Sequence, residues 1–187
     1  MNITLSWDLF ILVFFCIIIA YSFIVGRNQT LKIIIGTYIA TLTADGVANL
    51  VEKYLGGENA PLEILAGPDG DQVLIIMKIV IFIVAVVVLA VKGGFEVGML
   101  SEQQTVMRIL TTFLFGVLNA GLIVSTLLLY VSGLSLIGSD QIQAVSMVGS
   151  DSMMVQLMIE NYNLWFSLPA IALVVLSFSQ QSRSAGT

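Results

Sequence analysis

The chain repeats one physical pattern along its length: runs of apolar residues as long as a bilayer is thick. About 20 mostly apolar residues, wound as a helix, cross about 30 Å of hydrocarbon. Residues 9–26, 73–91, 109–131 and 162–178 meet that length, with Lys78 the single charge among them. Trp7 stands at the edge of the first run, and Tyr162 and Trp165 enter the last, where interfacial aromatics belong. Pro169 inside the last run is tolerable where a neighbouring helix re-satisfies the freed backbone. Composition agrees, since only 10% of the 187 residues are charged, against about 25% in soluble domains. The solvent of this chain is a membrane.

A fifth segment, 31–55, is ambiguous because it carries Thr37, Thr41, Asp45, Asn49 and Glu52. As a helix it would rise about 37 Å, enough to cross. Charge decides the question, because Lys and Arg concentrate in cytoplasmic loops. If 31–55 spans, then Arg27, Lys32, Lys92, Arg108 and Arg183 all fall in or beside cytoplasmic segments, and only Lys53 lies outside. If it does not, Lys92 and Arg108 fall opposite Arg27 and Lys32. The reading is therefore an all-α polytopic bundle, one membrane domain, with its N-terminus outside and its C-terminus cytoplasmic. Its five spans are 9–26, 32–52, 73–91, 109–131 and 162–178, with outer loops 53–72 and 132–161, an inner loop 92–108 and a polar tail 179–187. Most acidic residues, from Asp8 to Glu160, then lie outside, against Glu96 and Glu102 inside. No basic residue precedes the first run and no A-x-A-like site follows it, so it reads as an uncleaved anchor.

The inventory excludes much chemistry. There is no histidine, which removes triads and imidazole metal sites, and the lone Cys16 removes disulfides and Cys-rich metal centres. A formal charge of −5 argues against nucleic acid. An intramembrane protease lacks its dyad, since Asp45 is the one intramembrane aspartate. The inner-loop glycines Gly93, Gly94 and Gly98 lack phosphate-binding spacing, and Asp69-Gly70-Asp71 lacks the ligand ladder of a calcium loop. No catalytic residue, metal or cofactor is expected. Ser101-x-x-Gln104 has capping-box spacing ahead of the fourth span. Met147, Met153, Met154 and Met158 predict a short helix over about 151–160, either an adaptable contact surface or an amphipathic helix lying on the membrane or the bundle.

The polar residues that must live in lipid carry the most information. Gly36, Ala40, Ala44 and Ala48 form a small-residue stripe at four-residue spacing, which lets helix backbones approach closely. One position further on, Thr37, Thr41, Asp45 and Asn49 form a polar stripe that must face the bundle. A carboxylate at a helix centre costs about 2.5–3.5 kcal/mol on the translocon scale. Asp45 therefore needs a partner, water or a proton. Lys78 lies at similar depth on the next span. The two form an ion pair, or Lys78 snorkels outward, or both line a hydrated site. Gly116, Ala120 and Gly121, with Asn119, make a second small and polar face, and Asn119 is a candidate neighbour for Thr41 or Asp45. The first and last spans lack such faces and should lie at the lipid-facing periphery.

Several of these elements resemble the colicin V production (CvpA-like) membrane proteins. Trp7-Asp8 precedes the first span, Gly26-Arg27 closes it like the family's Gly/Arg turn, and a small-residue helix follows at once. The segment 114–124, with Gly116 and Gly121, is similar to the family's glycine-rich helix. The likeness covers about residues 7–131 through degenerate motifs, and Asn119-Ala120 replaces the basic residue the family often carries there. It implies a plasma (inner) membrane protein serving envelope homeostasis or secretion, with no established catalytic site. The leading expectation is a non-enzymatic membrane component acting through assembly, with itself or an envelope partner. The alternative is a small transporter or channel subunit, with Asp45, Lys78, Asn119, Thr37 and Thr41 lining a polar path.

Overall fold

The computed structural model describes residues 7–55, 70–93, 105–133 and 152–184. The Ser101–Gln104 capping box, Gly94, Gly98, Asp69 and Met147 lie outside the described residues. Six helices make up the rest: α1 (Trp7–Val25), α2 (Arg27–Leu55), α3 (Gly70–Lys92), α4 (Thr105–Val131), α5 (Met153–Glu160) and α6 (Tyr162–Ser184). Among the described residues there is no strand. The fold is an all-α helical bundle. Helices α1 to α4 are each long and apolar enough to cross a membrane, and α5 with α6, bent by 59°, adds a fifth candidate if the pair is one broken span.

Local chemistry sets the breaks. Gly26 ends α1 in the left-handed region, φ +81°, where a Cβ is disfavoured. Its N–H donates to the Ser22 carbonyl at 3.0 Å, and its own carbonyl accepts from Thr30 N–H at 3.0 Å. One residue thus separates two long helices. In α5 the cap is shared between elements. Ser152 Oγ accepts from Val155 N–H at 3.2 Å and donates to Asp8 Oδ1 at 2.5 Å. Asp8 Oδ1 also accepts from Met154 N–H at 3.0 Å, so a carboxylate from α1 sits on the positive end of α5.

The core is α4, whose apolar window is 72% buried, against 50% for α2, 17% for α1 and 6% for α3. This amends the expected periphery. The third span is less buried than the first. Helix α1 packs chiefly on α4, α2 lies between α3 and α4, and α6 covers α4 from another side. Leu31 and Ile34 of α2 meet Phe115, Leu118 and Leu122 of α4, while α6 adds Phe166 and Leu173. Near the opposite end from Gly26, α5 buries Val155, Met158 and Ile159 against Ile11, Val124 and Leu128. The short methionine helix therefore lies on the bundle, and Ser125 Oγ donates to the Met158 sulfur at 3.5 Å.

The small residues sit at close approaches. A Cβ on Gly36 would stand 3.2 Å from Leu89 Cβ of α3, and one on Gly116 3.2 Å from Ser22 Cβ of α1. Gly121 lies under the Trp165 indole of α6, so close that a Cβ there would overlap the ring. Ala40, Ala44 and Ala120 are fully buried, and Ala48 nearly so. In α6, Pro169 removes a backbone donor. Beside it, Tyr38 of α2 donates its hydroxyl to the Phe166 carbonyl and lies in hydrogen-bonding reach of Ala170 N–H. The phenol thus stands in the ladder between Phe166 and Ala170 beside the proline, and inserted side chains and prolines are both recognised causes of a helix kink.

Candidate functional site around Asp45

Asp45 is the most demanding residue in the bundle. It is fully buried, about two-thirds of the way along α2, where ionised oxygen is poorly solvated by hydrocarbon. Two neighbours build its surroundings. Tyr130, near the end of α4 and also fully buried, hydrogen-bonds with the Asp45 side chain. The Tyr130 hydroxyl also lies 3.1 Å from the Thr41 carbonyl, to which it donates. Phe82 of α3 closes the group edge-on against the Tyr130 ring, at a centroid distance of 5.9 Å and 79°. Ala40 and Ala44 supply the floor, since their small size lets Phe82 and Tyr130 reach the α2 backbone. The tyrosine is amphipathic in its role, with an apolar ring in the core and a polar tip at the carboxylate.

The threonines are used differently. Thr37 Oγ1 donates to the Ile33 carbonyl at 2.9 Å, and Thr41 Oγ1 to the Thr37 carbonyl at 2.8 Å. Thr126 of α4 does the same to Leu122 at 2.8 Å. Each hydroxyl proton is spent on its own helix, four residues back. Such back-bonding satisfies the hydroxyl and lets it sit in a dry interface.

Helices α2 and α4 run in the same direction. Leu31 and Ile34 meet the Phe115–Leu122 stretch, and Thr41 and Asp45 meet Tyr130 further on. Asn119 therefore does not join Asp45. It lies eleven residues before Tyr130 on α4, about 16 Å back along the axis. It is 1% exposed, and its Oδ1 accepts no hydrogen bond among the described residues. Lys78 stands one turn from Phe82 on the same face of α3, toward Gly70, and is half-buried. Helices α2 and α3 are antiparallel, with Gly36 against Leu89 and Gln29 Nε2 bonded to the Ala90 carbonyl at 3.1 Å. That register brings Lys78 within about a turn of the Asp45 level.

Sequence reasoning missed Tyr130 and Tyr38, two tyrosines that tie helices together through backbone carbonyls. A tyrosine near the end of an apolar run reads as an interfacial anchor, and nothing in its spacing distinguishes one that turns inward. Among the described residues no group of three or more Cys, Asp or Glu is placed to hold a metal ion. Chemically, the site holds a carboxyl group against a phenol in a dry, close-packed setting. It fastens helices.

Comparison with family models, curated proteins and solved structures finds no match. The resemblance to the colicin V production proteins therefore rests on the motifs quoted above.

Proposed function

We propose that the chain is a non-enzymatic multi-pass membrane protein that works through assembly, as an envelope scaffold component of the colicin V production type. On this reading it sits in the plasma membrane with its basic end, marked by Arg27, Lys32, Lys92 and Arg108, toward the cytoplasm. Its partner is a second copy of itself or another envelope membrane protein. One observation carries the reading: Asp45 and the threonines beside it are engaged within the bundle. Asp45 bonds Tyr130, and the threonines bond their own helices. Two cavities among the described residues, of about 430 and 540 Å³, are lined by neither Asp45 nor Asn119. Polar side chains spent in this way hold a scaffold together and leave little to face a substrate. The exposed face of α3, with Ile76, Val80, Ile83 and Val87, offers an apolar surface to a neighbour.

The competing transporter reading draws on the stripe Thr37, Thr41, Asp45, a row of polar groups along one helix. Both are tested on the full chain. A photo-crosslinker at Val84 in native membranes, with native mass spectrometry in mild detergent, is expected to give a discrete cross-linked species and an oligomer. A homogeneous monomer with no cross-link would reject assembly. Ion flux into liposomes that Asp45→Asn abolishes would install the transporter reading instead.

A further inference from the structure

Helix α5 is joined to the bundle at two points of different kind. It is eight residues long, and Asn161 separates it from α6 at a bend of 59°. Asn161 closes one hydrogen-bond ladder and opens the next. Its N–H donates to the Leu157 carbonyl at 3.2 Å, and its own carbonyl accepts from Leu164 N–H at 2.9 Å and Trp165 N–H at 3.3 Å. A change in the backbone angles of that one residue therefore swings α5 without opening either ladder, which is what a hinge requires. At the other end of α5, Asp8 Oδ1 accepts from Ser152 Oγ at 2.5 Å and from Met154 N–H at 3.0 Å. A residue of α1 thus fastens the end of α5 that lies farthest from the hinge.

Between hinge and fastening lies the cavity of about 540 Å³, bounded by α1, α5 and α6. Met154, Leu157 and Met158 of α5 form one wall, and Leu12 and Cys16 of α1 another. Toward the bundle α5 buries Val155, Met158 and Ile159, while on its other side Met153 and Leu157 are 73% and 50% exposed. A helix with apolar side chains on both faces gains little from the bundle in a bilayer, because lipid tails receive those side chains about as well. The hydrophobic effect that would pin such a helix in water is missing, so directional bonds decide where it lies. Asp8 accepts two of them, and Ser125 Oγ adds a third on the Met158 sulfur, a weak acceptor. We propose that α5 is a hinged lid, latched to α1 by Asp8 and pivoting at Asn161, that covers and uncovers the apolar cavity between α1, α5 and α6. Released, the lid opens to the membrane the surface of Ile11, Val124 and Leu128 that it covers when latched.

The test uses the full chain in lipid nanodiscs, with Cys16→Ser and spin labels at Met153→Cys and Ile76→Cys, exposed positions on α5 and α3. Double electron–electron resonance should give one dominant distance for the latched lid. Asp8→Ala should raise the share of a second, displaced distance about tenfold, the worth of a hydrogen bond to a charged group. Asp8→Asn, which keeps an acceptor oxygen, should raise it less, and it carries the test alone if Asp8→Ala does not fold. Ser152 still caps Val155 N–H in both variants, so amide exchange over residues 155–160 should stay as slow as in the parent. A single distance that Asp8→Ala and Asp8→Asn leave unchanged would overturn the proposal. So would a second distance that comes with fast exchange throughout α5, because the helix would then be melting rather than swinging.

Discussion

Gly121→Ala is the most demanding single test of the packing described above. The substitution adds one methyl group, and helix propensity favours it by about 1 kcal/mol. On an isolated helix it would stabilise. In the bundle that methyl meets the Trp165 indole, with Cδ2 at 2.9 Å and Cε3 and Cζ3 nearer still. Carbon atoms in comfortable contact stand about 3.5–4.0 Å apart and the nearest ring carbon would be at 2.0 Å, so the ring must retreat by about 1.5–2 Å or α6 must move with it. Trp165 packs against the cluster that joins α1, α4 and α5, and stands edge-on to Phe15 at 6.0 Å, so it has little freedom to yield. Overpacking of this kind costs about 1–3 kcal/mol. The upper end is expected because the obstruction is a rigid aromatic ring. The assay is unfolding in mixed micelles followed by far-ultraviolet circular dichroism, which reads helix loss in every variant alike. Trp165→Leu should recover most of the loss in the double variant, with a coupling of about 1–3 kcal/mol between the two sites. A Gly121→Ala protein as stable as the parent, or equally destabilised in the Trp165→Leu background, would refute the close approach of α4 and α6.

Three further substitutions separate the roles of the buried polar groups. Tyr130→Phe keeps the ring against Phe82 but removes the hydroxyl shared by Asp45 and Thr41. It should cost about 1–3 kcal/mol in the same unfolding assay, as for any buried polar group deprived of a partner; a neutral result would place the carboxylate elsewhere. Asn119→Leu replaces a buried amide whose oxygen accepts no bond among the described residues, so stability should be unchanged or higher. A loss beyond about 1 kcal/mol would mean that the amide has a partner of comparable worth. Gly26→Ala meets no neighbouring atom, so its whole effect is the strain of a Cβ at φ +81°. A loss of about 1–2 kcal/mol is expected, and Gly26→Asn, better suited to that region, should lose less.

Much of the fold was legible because the bilayer permits few solutions. Backbone groups in hydrocarbon must be satisfied within the element, so an apolar run of about 20 residues is a helix almost by necessity. The stripe Gly36–Ala40–Ala44–Ala48 likewise identified the close face of α2, since small side chains at helical spacing have one obvious use. The polar partnerships were less legible. Charge matching drew attention to Lys78, whose depth resembles that of Asp45, and away from Tyr130, which is neutral. Asn119 looked like a neighbour of Asp45 because both are polar and near mid-membrane. Separation along the axis depends on the register of α2 against α4, which Ile34 and Phe115 set by shape. Shape of that kind leaves no periodic trace. The cap of α5 is the same kind of case, because its carboxylate, Asp8, is supplied from more than 140 residues away in sequence.

The single-residue link at Gly26 has a consequence for how the chain is assembled during synthesis. Helices α1 and α2 leave the ribosome consecutively and are joined as tightly as two helices can be, yet α1 packs mainly on α4 and α2 on α3 and then α4, rather than on each other. Ser22 of α1 meets Gly116, and Thr41 of α2 meets Tyr130. Until α4 has been made, the Asp45 carboxyl and the Thr41 carbonyl lack the Tyr130 hydroxyl that they meet in the finished bundle. The growing protein thus passes through a stage in which its costliest side chains face lipid or a temporary companion. Completion of the fold requires a late helix to enter laterally between two early ones. The vulnerable period in the life of this bundle is the time taken to translate residues 56–131.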